Sequence, residues 1–176
     1  MKTLILYVLI GGAGLVASRA VAAEPSHYTP LAFLVDHTWL GHLPDGPQGP
    51  GPAITLKAGW AANHQGIDFD STFIMPGGQR VPYTSGLYAW DPAKKQLLFL
   101  YTDAEGSLTQ GTVRADKETL IHDFAVTEKD GTTSKVQARI TPQGANAYVN
   151  EIYRWQDGAW KKFVSVRYER QPEGVK

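Results

Sequence analysis

Between residues 76 and 158 the chain is interrupted, roughly every dozen residues, by clusters of turn-forming residues. They are Pro76-Gly77-Gly78, Asp91-Pro92, Glu105-Gly106, Asp116-Lys117, Asp130-Gly131, Pro142-Gln143-Gly144 and Asp157-Gly158. Each interval has room for one strand and one tight turn, and none for a helix of ordinary length. The segments between them alternate apolar and polar residues, so they read as strands of an antiparallel meander. The same patterning extends upstream and predicts ten strands, over 37–42, 54–61, 67–75, 83–90, 96–102, 108–114, 119–127, 133–140, 147–155 and 160–170. An open sheet of ten hairpin-connected strands would expose two edges and one apolar face, and closure removes both problems. The expected fold is therefore all-β: an antiparallel up-and-down barrel of about ten strands. A single helical turn over 31–35, just after Pro30, is predicted to precede it.

The first 22 residues read as an export signal. Lys2 is followed by an apolar run over 4–16, and Ala20-Val21-Ala22 supplies a small-x-small cleavage pattern. The run is short of the ~20 apolar residues a permanent spanning helix needs. Cleavage would remove Lys2 and Arg19 and leave 15 basic against 17 acidic residues. That balance, without basic runs, argues against nucleic acid as a partner and against stable membrane association after cleavage. The chain has no cysteine, so disulfides, thiol catalysis and thiolate metal sites are excluded. The expected organisation is a signal over 1–22, a polar lead-in over 23–30, one barrel over 31–170 and a tail over 171–176, in a periplasmic or secreted protein. The segment 44–52, with Pro44, Pro47, Pro50 and Pro52, cannot join a sheet ladder and is expected as a rim loop. Charged residues at Lys57, Asp68, Asp70, Lys161, Arg167 and Glu169 would stand on the outer wall, which argues against a lipid-facing barrel.

Several stretches carry a family resemblance. The segment 31–41, ending in Thr38-Trp39-Leu40-Gly41, resembles the opening of bacterial lipocalin-like (calycin-like) β-barrel domains. Tyr88-Ala89-Trp90-Asp91-Pro92-Ala93-Lys94-Lys95, the strand from Gly106 to Thr112, and the closing Asp157-Gly158-Ala159-Trp160 and Val166-Arg167-Tyr168-Glu169-Arg170 are similar to later hairpins of that group. The resemblance spans about 31–170 and implies the barrel. It implies no activity, since the group consists mainly of domains of unknown function. It does imply one structural pair: a first-strand Trp packed under a last-strand Arg, here Trp39 and Arg170. His37 departs from the pattern, standing where many relatives have glycine.

The 5 Trp, 8 Tyr and 6 Phe favour a lined or filled interior over a water channel. Strand parity gives a pool of lining residues for a small apolar or amphipathic ligand: Trp60, Phe69, Phe73, Tyr88, Phe99, Tyr101, Phe124 and Tyr153, with His122 among them. His122 shares a face with Leu120, Phe124 and Val126, so it is expected as a hydrogen-bonded wall residue, a ligand contact or a base. Some related barrels bind haem through one histidine, but the rest of that pattern is not evident, and no cofactor is expected. His37 and His42 lie an odd number of residues apart and cannot share a strand face, and no metal-ligand spacing occurs elsewhere. Asp68 and Asp70 read as a solvated face, and Glu151, between Val149 and Tyr153, as the better buried acid, with Arg139 or Arg154 as a partner. In the last strand Trp160, Val164, Val166 and Tyr168 are read as sharing a face. No nucleophile elbow, phosphate loop or dinucleotide fingerprint is present. Three functions remain open: a small-molecule binder, a small-molecule enzyme using His122 or Glu151, and a filled barrel acting by surface contact, perhaps through 44–52.

Overall fold

The computed structural model describes residues 26–47, 49–127 and 131–172. The export signal expected over 1–22, the start of the lead-in and residues 173–176 lie outside the described residues. A 3-10 helix (Ser26–Leu34) is followed by ten strands. These are β1 (His37–His42), β2 (Ala53–Trp60), β3 (Gly66–Ile74), β4 (Arg80–Asp91), β5 (Gln96–Asp103), β6 (Leu108–Asp116), β7 (Thr119–Thr127), β8 (Thr133–Pro142), β9 (Ala147–Gln156) and β10 (Ala159–Arg170). Each strand pairs antiparallel with the next, and β1 pairs with β10, so the sheet is a closed ten-stranded antiparallel barrel.

Turn chemistry sets the register as the spacing predicts. Asp157 and Gly158 both take positive φ, 52° and 79°, the mirror-image turn whose twist suits a two-residue hairpin. The boundaries depart most at β4, which starts at Arg80 although Pro82 argues against a strand there. A register shift between Ser71 and Thr72 admits the proline, because a bulge relieves the ladder of one donor.

The helix is longer than the expected turn over 31–35 and takes in part of the polar lead-in. Tyr28 explains the difference. It is 1% exposed, donates its hydroxyl to the Gln65 carbonyl at 2.7 Å and meets Trp60 edge to face. Leu31 and Leu34 are buried beside it, each worth roughly 1.5–3 kcal/mol of hydrophobic stabilisation. The helix thus plugs one end of the barrel. The connections over 61–65, 92–95, 117–118 and 143–146 gather at this capped end, and those over 43–52, 75–79, 104–107 and 157–158 at the open end.

One reading of β10 is corrected. A bulge between Lys162 and Val164 reverses the alternation, so Trp160 is not on the inward row of Val164, Val166 and Tyr168. It stands outside, beside Trp155 and in a groove with Arg139 and Glu151.

Candidate functional site: an open mouth over a polar floor

The inward rows divide the barrel into three levels. At the capped level Trp39 donates its indole N–H to the Leu34 carbonyl at 3.3 Å and lies against Phe33 and Tyr148. Tyr148 in turn stacks on Tyr168, with ring centroids 4.7 Å apart. Trp39 and Arg170 stand opposite each other in the β1–β10 register. The cation–aromatic contacts among the described residues lie elsewhere, at Arg139 over Tyr153, Arg154 over Phe163 and Lys162 near Tyr153. Trp39 is therefore packed by rings rather than covered by the guanidinium.

The middle level is a floor of Phe69, Tyr88, Phe99 and His122, all buried. Two glycines make room for it. A Cβ on Gly111 would lie 2.5 Å from Phe99 Cε1, and one on Gly86 2.7 Å from Phe69 Cζ. The Tyr88 hydroxyl and His122 Nε2 are 3.0 Å apart, and Phe99 meets the imidazole edge-on. Burial pushes the His122 pKa down to about 4 and holds the Tyr88 phenol above its ordinary range, so both are neutral near pH 7. His122 Nδ1 and Asn150 Oδ1 are buried without a hydrogen-bond partner.

Above the floor part of the inward surface is half-buried, while Ile54, Ser71, Thr109 and Val136 on the same rows are buried. Tyr101, Phe124, Ile152 and Val164 form this half-buried wall, with Phe124 edge-to-face on Phe99 and Tyr101 stacked against Phe99 at 6.2 Å between ring centroids. Among the described residues the large apolar side chains that are exposed, Met75, Tyr83, Leu108, Trp155 and Phe163, belong to the open end.

Of the residues singled out from sequence, Phe69, Tyr88, Phe99, Tyr101, His122 and Phe124 come together in the barrel. Phe73 lies on the same side near the rim, against Tyr83. Trp60 faces inward at the capped end, under Tyr28. Tyr153 and Glu151 are on the outer wall, because Tyr148, two pleats from Ile152, fixes the inward row of β9 as 148, 150 and 152. Glu151 is thus not a buried acid. It accepts hydrogen bonds from Lys162 and from the Tyr153 hydroxyl, and the Lys162 bond, first of all, lowers its pKa. The two groups considered for acid–base chemistry, His122 and Glu151, lie on opposite sides of the wall.

The outer wall carries its own polar chain. Arg114 and Gln137 donate to Asp123 at 3.4 and 2.7 Å, Arg139 donates to Gln137 at 2.6 Å, and its guanidinium lies 4.2 Å above Tyr153. A groove of about 880 Å³ runs along it. Asp68 and Asp70 are exposed on this outer surface. His37 bonds the Asp36 carbonyl region at 2.9 Å and leans on Trp39, and His42 is exposed. Among the described residues no three His, Asp or Glu side chains converge as a metal group.

Asn150 is the functional candidate that sequence reading missed. Its signal was present, as a lone amide on the parity of Tyr148 and Ile152, but both faces of β9 carry apolar residues and parity alone does not say which is inside. No protein-family model matches this chain, and no curated protein shows significant similarity to it.

Proposed function

We propose that this is an exported, lipocalin-like barrel that binds a small apolar or amphipathic molecule in its open mouth. The observation that carries the reading is the contrast along the interior. Tyr28, Leu31, Leu34, Trp39 and Tyr148 are sealed at the capped end and Phe69, Tyr88, Phe99 and His122 on the floor, while Tyr101, Phe124, Ile152 and Val164 above it are half-buried. A wall of rings and branched side chains left open to solvent gains free energy by covering itself with an apolar guest. The exposed apolar residues of the rim supply a matching entrance. Exposed Lys57, Asp68, Asp70, Arg167 and Glu169 on the outer wall support a barrel surrounded by water.

Enhancement of N-phenyl-1-naphthylamine fluorescence by the protein tests this reading. Saturable enhancement in wild type, weakened at least about tenfold by Ile152→Arg, is the expected result. Saturation unaffected by Ile152→Arg would place the dye elsewhere and remove the mouth as the site.

A further inference from the structure

The outer wall over β6–β10 is not the plain solvated face that an outward row implies. Leu120 and His122 face the interior, so Ile121 faces out, and so do Gln137 and Arg139 on the neighbouring strand. Ile121 is nevertheless 7% exposed and Gln137 5%. Both are sunk in the groove that runs from the β6–β7 turn at 116–119 to Trp160.

The groove holds a prepared cation. Gln137 is fixed at both ends of its amide, donating Nε2–H to Asp123 at 2.7 Å and accepting Arg139 Nε–H at 2.6 Å. The Arg139 guanidinium also rests 4.2 Å above the Tyr153 ring. Among the described residues no hydrogen bond uses its terminal nitrogens, whose N–H fork matches the two oxygens of a carboxylate. Arg114 stands on the same row, paired with Ile121, which is paired in turn with Arg139. The two arginines are thus two strand spacings apart, about 9.5 Å, with Ile121 between them. The carboxylates beside them are already engaged, Asp123 by Arg114 and Gln137, and Glu151 by Lys162 and Tyr153.

The rest of the lining narrows the guest. Lys117 joins the two arginines, and Asp116, Glu118 and Glu151 offset the three positive charges. A polyanion would meet as many like charges as opposite ones. A guest with one carboxylate and many hydroxyls would not, because a hydroxyl donates to Asp116 or Glu118 as readily as it accepts from Lys117. Thr119 and Thr141, bonded to each other at 2.9 Å, add hydroxyls at that end. At the other end Trp160, braced by Trp155 with ring centroids 5.2 Å apart, offers a half-buried ring that the C–H face of a sugar can cover.

We propose that this groove is a second site, separate from the mouth, and that it binds an acidic saccharide. The carboxylate of a uronic acid sits on Arg139 and Arg114, its hydroxyls turn toward 116–119, and an adjoining sugar ring lies on Trp160.

NMR titration of the protein at pH 7.5 with cellobiouronic acid, cellobiose and cyclohexanecarboxylate tests the assignment. Cellobiose keeps the sugar rings without the carboxylate, and cyclohexanecarboxylate keeps the carboxylate without the hydroxyls. Cellobiouronic acid is expected to shift the Arg139 Nε–H and Trp160 Nε1–H signals saturably and to bind at least about tenfold more tightly than either control. Arg139→Lys keeps the charge and loses the fork, and should weaken cellobiouronic acid about tenfold, whereas Lys57→Gln, exposed on β2, should not. Equal binding of cyclohexanecarboxylate overturns the saccharide assignment, and equal binding of cellobiose overturns the role of the arginines. Absence of saturable shifts with all three probes overturns the site. N-phenyl-1-naphthylamine enhancement should be the same in Arg139→Lys as in wild type, so the groove and the mouth stand or fall separately.

Discussion

The capped and open halves of the barrel are built from the same strands but solve different problems. The capped half joins Trp39, Tyr148 and Tyr168 to Leu31, Leu34 and Tyr28 of the helix, all nearly without solvent exposure. The open half has comparable side chains, Tyr101, Phe124, Ile152 and Val164, and they are half-buried. Stability therefore resides at one end, and the capacity to bind resides at the other. The capped end owes its burial to the 3-10 helix, which packs Tyr28, Leu31 and Leu34 into it.

Trp39→Ala should break the comparison most severely. It empties a site packed on every side, and a loss of about 3–5 kcal/mol is expected in urea melts. Acid should act on the floor. His122 has a folded pKa of about 4 against about 6.5 unfolded, so between those values the unfolded chain binds the extra proton. Stability from this group is complete above pH 6.5 and falls by about 3 kcal/mol as the pH drops to 4. His122→Phe should flatten that part of the pH–stability curve, and an unchanged slope would show that other groups cause it. Gly111→Val drives a side chain into Phe99 and the Asp123 carbonyl, and should cost about 1–3 kcal/mol by thermal or urea melting. Val164→Ala, on the half-buried wall, should cost less than about 1 kcal/mol and yet weaken dye binding. A large stability loss there would erase the distinction between the halves.

Most of the fold is legible in the sequence, because hairpin turns act locally. Asp157-Gly158 and Asp116-Lys117 place their strands whatever the rest of the chain does. Facing was less legible. The bulge beside Val164 depends on how β10 meets β9, so Trp160 looked inward when its own strand was read alone. Tyr153 and Glu151 were misplaced for a related reason: β9 carries apolar residues on both faces, and only the stacking of Tyr148 on Tyr168 decides between them. Tyr28 was hidden in a polar stretch, since a single anchored ring leaves no periodic trace. His122 stood out correctly as a polar residue on an inward row, but its partner Tyr88 comes from a strand distant in sequence.

The β1–β10 seam has a kinetic consequence. Every other strand pair is a hairpin or short connection that can zip up locally, whereas Trp39 meets Arg170 only after nearly the whole domain is in place. Closing so long a loop is entropically slow, and contacts of high sequence separation govern folding rates. Until that one event the chain is a ribbon with two free edges, and afterwards it is a ring with none. The seam is thus both the rate-setting contact and the moment at which the risk of edge-to-edge aggregation ends.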